Sequence, residues 1–262
     1  MRIAFIGRAA RFSPNSVGKD MAILAAVRQQ LSACGFACDD IVIEDVPTAD
    51  IADSDAYVSM GRRQDTLNWL GEYEKQYIPV VNCTASVMWC NMRSSLMQLL
   101  ESEDGISVPP LIGGNGYWVK RGYGSTECAE DVQYAADRDE ADRLCEQFCR
   151  RGINDVDVRA HVAGDLIKCY AVQGTDFFRW YTVGDSQQIP FDERALERMM
   201  RKAADMIQLD VYGGDCIIRP DGQPVLIDLN DWPSFSPCRD EAAQAITKRI
   251  VQRIKQEHGG IR

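Results

Sequence analysis

Two apolar, β-rich runs near the C-terminus, Cys216–Arg219 and Pro224–Leu229, flank Asp221-Gly222, a dipeptide suited to a two-residue hairpin turn. With those two residues as the loop, Arg219 faces Pro224 and Asp215 faces Asp228. Asn230 shares the face of Asp228, because side chains alternate along a strand. Directly opposed carboxylates repel each other. A divalent cation between them removes the conflict, and two carboxylates with an amide form an oxygen set that suits Mg²⁺ better than zinc. The alternative is a solvated face on which the acids point at water. Ile217, Ile218, Val225, Leu226 and Ile227 populate both faces, which predicts a largely buried hairpin whose carboxylates need partners.

A chain of 262 residues can bury a sizeable core, as one large domain or as two or three small ones. Its net charge of −10 argues against broad nucleic-acid or membrane-surface binding, while leaving room for a local phosphate pocket. No apolar run approaches the ~20 residues that span a bilayer. The opening MRIAFIGRAA lacks the apolar core of a signal peptide and reads as a first strand. The ten cysteines are scattered without a CxxC pair, so they are expected to be reduced, mostly buried small hydrophobes in a cytoplasmic protein. Only His161 and His258 could join them in a mixed metal site.

Strands are expected at 2–7, 40–44, 55–60 and 77–82, with helices at about 19–34 and 65–76 between them. This alternation predicts a small, mostly parallel Rossmann-like unit over 1–90. No GxGxxG follows its first strand, so it is not read as a dinucleotide site. Ligands of such sheets lie beyond the carboxyl ends of the strands, which places Arg8, Ser13, Asn15, Ser59 and Arg62 beside a substrate, unless they are ordinary loop residues. A helix follows at 91–101, then a loop with Pro109-Pro110 and Gly113-Gly114. Next comes a short strand carrying Lys120 and a loop with Gly122, Gly124, Ser125 and Thr126. Such a loop can wrap phosphates, and a surface hairpin with an incidental lysine would look the same. Residues 130–151 read as a strand and an acidic amphipathic helix, and 155–172 as a hairpin around Gly164-Asp165 carrying His161 and Lys168. A strand at 177–183 has Arg179 and Tyr181 on one face. A helix at 195–207 and a last helix capped by Ser236, with Pro237 at its first position, complete the chain before a fraying tail, HGGIR.

The order of parts resembles the ATP-grasp superfamily from about residue 78 onward, through VVN (80–82), WVKRGYGST (118–126) and GGDCIIRPDGQPVLIDLNDWP (213–233). The last stretch is the specific one. The resemblance implies an α/β (α+β) ATP-grasp fold with an N-terminal Rossmann-like unit at 1–90, a small or lid subdomain at 91–160 and a C-terminal subdomain at 161–262 bearing the Mg-ATP site. By position it implies that Asp215, Asp228 and Asn230 hold Mg²⁺. Lys120 matches the lysine that reaches the α/β-phosphates of ATP, and Gly122, Gly124, Ser125 and Thr126 match the mobile loop that covers them. Arg93 stands where many members have a second ATP-contacting lysine. The adenine hinge departs from the usual Gln-Glu pair: Arg159-Ala160 precedes His161-Val162, so backbone groups of Ala160 and Val162 would hold adenine. Alternatively, 157–166 matches an Asp-x-Arg stretch of glutamate-adding ligases.

The implied activity is an ADP-forming carboxylate–amine or carboxylate–thiol ligase working through an acyl phosphate. No protein nucleophile is needed for that route. Arg179 and Lys168 are candidate catalytic residues, and Arg179, Arg62 and Arg8 are candidate holders of substrate carboxylates. The expected partners are a small-molecule carboxylate and an amine or thiol, without nucleic acid or membrane, and with a homodimer left open. The alternative is a polyol kinase, because IDLNDWPSF and GDLIKCYAV also resemble inositol polyphosphate kinases of the superfamily. A non-catalytic nucleotide-binding regulator is a third reading.

Overall fold

The structure, a computed structural model, describes residues 1–14 and 16–259. Asn15 and residues 260–262 lie outside the described residues, and with them the expected place of Asn15 and much of the tail. The first sheet is parallel, in the order β2 (Ala37–Ile43), β1 (Arg2–Gly7), β3 (Ala56–Ser59), β4 (Val80–Val81). Helix α1 (Val17–Ala33) buries the expected stripe of Ile23, Leu24, Val27 and Leu31. After α2 (Gln64–Glu74), Tyr77 takes a left-handed φ of 61° and the Ile78 N–H closes back on the Tyr73 carbonyl. That helix-ending turn delays the fourth strand, expected from Tyr77, until Val80.

The helix expected over 91–101 forms as α4 (Arg93–Glu101), and ahead of it, across a break at Met92, lies an unexpected helix α3 (Thr84–Asn91). The second sheet is antiparallel, with β5 (Tyr117–Arg121) between β6 (Val132–Ala135) and β7 (Val156–Ala160). Behind it lies α5 (Arg138–Arg150), capped by Asp137, whose side chain accepts the Glu140 N–H. The third sheet runs β11 (Pro224–Asp231), β10 (Val211–Ile218), β8 (Asp165–Val172), β9 (Phe178–Thr182). Its apolar face packs on α6 (Glu193–Met206) through Met199, Met200 and Leu226.

The hairpin expected over 155–172 does not form: β7 and β8 belong to different sheets. The chain crosses between them at 161–164, where Gly164 (φ 151°) lies so close to the Ile218 carbonyl that a Cβ would collide with it. The last helix, α7 (Arg239–Gly259), starts later than expected, because Ser236 and Pro237 are spent in a turn closed by the Cys238 N–H on the Phe235 carbonyl. It packs against α1, so one core joins Ile23, Leu24 and Val58 of the first unit to Trp232, Phe235, Ile246 and Ile250. The cysteines are all unpaired, but only Cys169, Cys216 and Cys238 are buried, fewer than expected. Among the described residues no helix is long and apolar enough to cross a membrane.

Candidate nucleotide and metal site

Asp215 on β10 stands directly opposite Asp228 on β11, although by a different route from the two-residue loop. The loop is Pro220-Asp221-Gly222: the Arg219 N–H bonds the Gln223 carbonyl, and Gly222 takes φ 79°. This turn pairs Ile218, not Arg219, with Pro224. An irregularity between Asp215 and Cys216, with Ile227 as the extra residue on β11, then restores the Asp215–Asp228 pairing. Asn230 donates its side-chain amide to Asp228 Oδ2 at 3.0 Å, so the three oxygen-bearing side chains are gathered.

Their electrostatics are asymmetric. Burial alone would raise the Asp228 carboxyl, but Arg93, Lys120 and the Asn230 amide outweigh it and bring its pKa down to about 2. Arg93 approaches Asp228 at 3.3 Å and anchors its other arm on the Arg121 carbonyl at 2.9 Å. Asp215 is pushed the other way, first by burial and then by the negative charge of Asp228; Lys168, at 3.7 Å, offsets this only in part. A half-compensated carboxylate pair is a place where a cation is welcome. Among the described residues no three His, Cys, Asp or Glu side chains cluster to hold a metal. A cation here would be held by two carboxylates and an amide, and that hard oxygen set fits Mg²⁺.

Two hollows lie beside this hairpin: a polar one lined by Asp215, Asp228 and Asn230 themselves, and an apolar one that reaches Ile227, the residue before Asp228. An apolar cavity of about 260 Å³ lies between the second and third sheets, walled by Met97, Trp118, Ala160, Val162, Leu166 and Ile227. Lys120 also lines it and donates to the Ile227 carbonyl at 3.5 Å. Burial lowers the pKa of its ammonium, against the pull of Asp228. The cavity has the size and apolar walls to take a flat base. The polar hollow is an open cleft of about 430 Å³, also lined by Arg8, Ser13, Arg62, Ser125, Lys168 and Asp231 among others.

No family model and no curated protein matches the sequence. Solved structures do. The D-alanine-D-alanine ligase from Coxiella burnetii superposes with a TM-score of 0.72 at 11% identity, covering 99% of this chain and 97% of that one. The D-alanine–D-alanine ligase from Bacillus anthracis, complexed with ATP, gives 0.66 at 14% identity over 100% and 98%. A RimK domain ATP-grasp protein from Sphaerobacter thermophilus gives 0.65 at 17% identity over 96% and 100%. The chain has the ATP-grasp fold. Within this fold the glycine loop lies docked. The Gly122 N–H bonds the Asp155 carbonyl and the Gly124 N–H that of Asn91, both at 2.8 Å. Ser125 Oγ accepts from Arg62 at 3.0 Å, and Thr126 lines the cleft.

The hinge is only half as available as expected. The Ala160 N–H already donates to the Pro110 carbonyl at 2.8 Å, whereas that of Val162 has no partner among the described residues. Arg159 is buried and tied to Asp157, Glu101 and the Pro109 carbonyl. His161 accepts from the Trp118 indole at 3.1 Å on the cavity wall. Lys168 lies in the cleft; Arg179 does not, pairing instead with Glu241 on α7. Ser59 is buried and binds the Gly61 N–H. Asp231 was missed from the sequence. Fully buried behind the cleft, it is paired with both Arg8 and Arg62, and these two arginines hold its carboxyl low despite burial. Its only sequence signal was its place directly after Asn230.

Proposed function

We propose that this chain is a Mg-ATP-dependent, ADP-forming ligase that joins a carboxylate to an amine or thiol. The observation that carries the proposal is the opposed Asp215–Asp228 pair on the wall of a polar cleft, with an apolar, base-sized cavity that reaches the neighbouring Ile227 and holds Lys120. The base would lie against Ala160, Val162 and Ile227, and Lys120 would meet the phosphates as they leave the cavity. Asp215, Asp228 and Asn230 would hold Mg²⁺, which when bound supplies positive charge to the phosphate oxygens. Arg93 and Lys168 add fixed charge on either side, so the chain mainly positions and neutralises.

The acid enters from the open cleft. Its carboxylate oxygen attacks the γ-phosphorus, the bond to the ADP oxygen breaks, and ADP departs. The amine or thiol then attacks the acyl carbon, phosphate leaves, and the proton lost by the nucleophile passes to solvent. No Ser, Cys or His nucleophile is required. D-alanine-D-alanine ligases of the same fold join carboxylate and amine substrates, which supports this reading over phosphorylation of a polyol. A polyphosphorylated substrate would want several free cations, yet Asp20 and Asp231 already engage Arg8 and all but the Ser125-facing nitrogen of Arg62.

The test is ADP formation across a panel of small acids, each with and without amines and thiols, with the product mass measured. The ligase reading expects ADP release that depends on the acid, together with a product carrying both partners. ADP release with a phosphorylated polyol as the product would replace it by the kinase reading.

A further inference from the structure

In the half of the cleft that faces the first sheet, each carboxylate is already engaged. Asp20 accepts the Ser13 hydroxyl at 2.6 Å and faces Arg8 at 3.4 Å. Asp231 is held by Arg8 at 3.0 Å and by two nitrogens of Arg62. An ammonium group entering this half would meet two guanidinium groups, with no unpaired carboxylate among the described residues lining it. Arg8 is saturated: Nε donates to the Met60 carbonyl, and the remaining arms go to Asp20, Asp231 and the carbonyls of residues 231 and 232.

Arg62 is different. Its terminal nitrogen facing the loop is bonded only to the neutral Ser125 hydroxyl, at 3.0 Å, while the side chain lines the cleft. Its backbone is held stiffly, because Glu44 accepts the N–H groups of Arg62 and Arg63 at 2.7 Å each. A cation fixed at both ends, with one edge toward the cleft, is suited to a planar anion.

We infer that the acid activated here carries a second anionic group and no ammonium beside its carboxyl, and that Arg62, with Ser125 of the glycine loop, holds that second group. This rests on the ligase reading and specifies its substrate class: diacids, not amino acids.

The experiment gives the full chain Mg-ATP, hydroxylamine and one acid at a time: glutarate against glutamate, succinate against aspartate, and propionate as a monoacid. Hydroxylamine attacks the acyl phosphate and releases phosphate, leaving a hydroxamate, so the natural acceptor need not be known. Hydroxamate formation should favour each diacid over its amino counterpart and over propionate by at least about tenfold in kcat/KM. R62K should raise KM for the diacid by about tenfold or more with little change in KM for ATP, because a lysine offers a point charge instead of a planar edge. The double variant R62Q/D231N, in which Arg8 keeps Asp20 as its counter-charge, serves if R62K melts early. Amino acids that match the diacids, or Arg62 variants with unchanged diacid KM, overturn the inference and leave the ligase reading standing. Absence of hydroxamate and of acid-dependent ADP from every acid overturns both.

Discussion

Arg93 lies 3.3 Å from Asp228, whereas Asp215, the residue across the ladder from Asp228, has Lys168 at the longer distance of 3.7 Å. The two carboxylates therefore bear on stability with opposite sign. Without metal or nucleotide, Asp228→Asn should lower stability by about 2 kcal/mol, because Arg93 and Lys120 lose their counter-charge in a buried place. Asp215→Asn should raise the melting temperature by removing a repelled carboxylate. With Mg-ATP present, both variants should lose the ligand-induced rise in melting temperature. Melts with and without Mg-ATP check all of these, and a full ligand shift in Asp228→Asn would remove the metal assignment.

Lys120 lines the apolar cavity and feels the charge of Asp228, so it should act on nucleotide binding. Lys120→Ala is expected to raise KM for ATP by about tenfold, the loss of one charge-assisted contact, with a smaller effect on KM for the acid. Initial rates at varied ATP and fixed acid measure this. An unchanged ATP dependence would put the phosphates elsewhere.

Gly164 sets the crossing between the two sheets. Gly164→Ala would drive a methyl group into the Ile218 carbonyl at a φ of 151°, and should destabilise the chain by about 1–3 kcal/mol. Because Val162 and Leu166 wall the cavity on either side of it, nucleotide affinity should fall too. A chemical-denaturation midpoint together with an ATP titration checks both effects.

Asp131 provides a pH test away from the site. Burial would raise its carboxyl, but the Glu127 N–H, Arg151, Cys128 and Arg121 prevail and bring its pKa down to about 2, from an ordinary 3.8. A folded-state value below the unfolded one means the stabilisation is present above 3.8 and fades as the pH falls through about 2. Asp131→Asn should therefore lower stability at neutral pH by about 1–2 kcal/mol and flatten the acid limb of the melting profile. Parallel limbs in the two proteins would contradict this.

Local patterns made much of the fold legible. The stripe on α1, the alternation of strand and helix over the first unit, and the apolar runs around Asp221-Gly222 all depend on neighbours in sequence. The Asp215–Asp228 pairing was anticipated through a tighter turn than the chain adopts; the longer loop and the irregularity at Ile227 cancel. The features that stayed hidden depend on distant partners. Nothing within 155–172 reveals that Gly164 must fit under the Ile218 carbonyl, so a sheet-to-sheet crossing looked like a hairpin. Nor does a single aspartate after Asn230 announce that arginines from residues 8 and 62 will converge on it. Arg179 had the right residue type for a carboxylate, but Glu241, brought in by the last helix, engages it.

Asp231 follows Asn230 by one residue, and Arg62 leans on it from the opposite end of the chain. Arg62 is thus tied three residues along β11 from Asp228, so one strand sets the spacing between the arginine edge and the opposed carboxylates. The first sheet and the hairpin sheet share one hydrophobic core, and the β5–β7 sheet is joined to them by the crossing at Gly164 and the docked glycine loop.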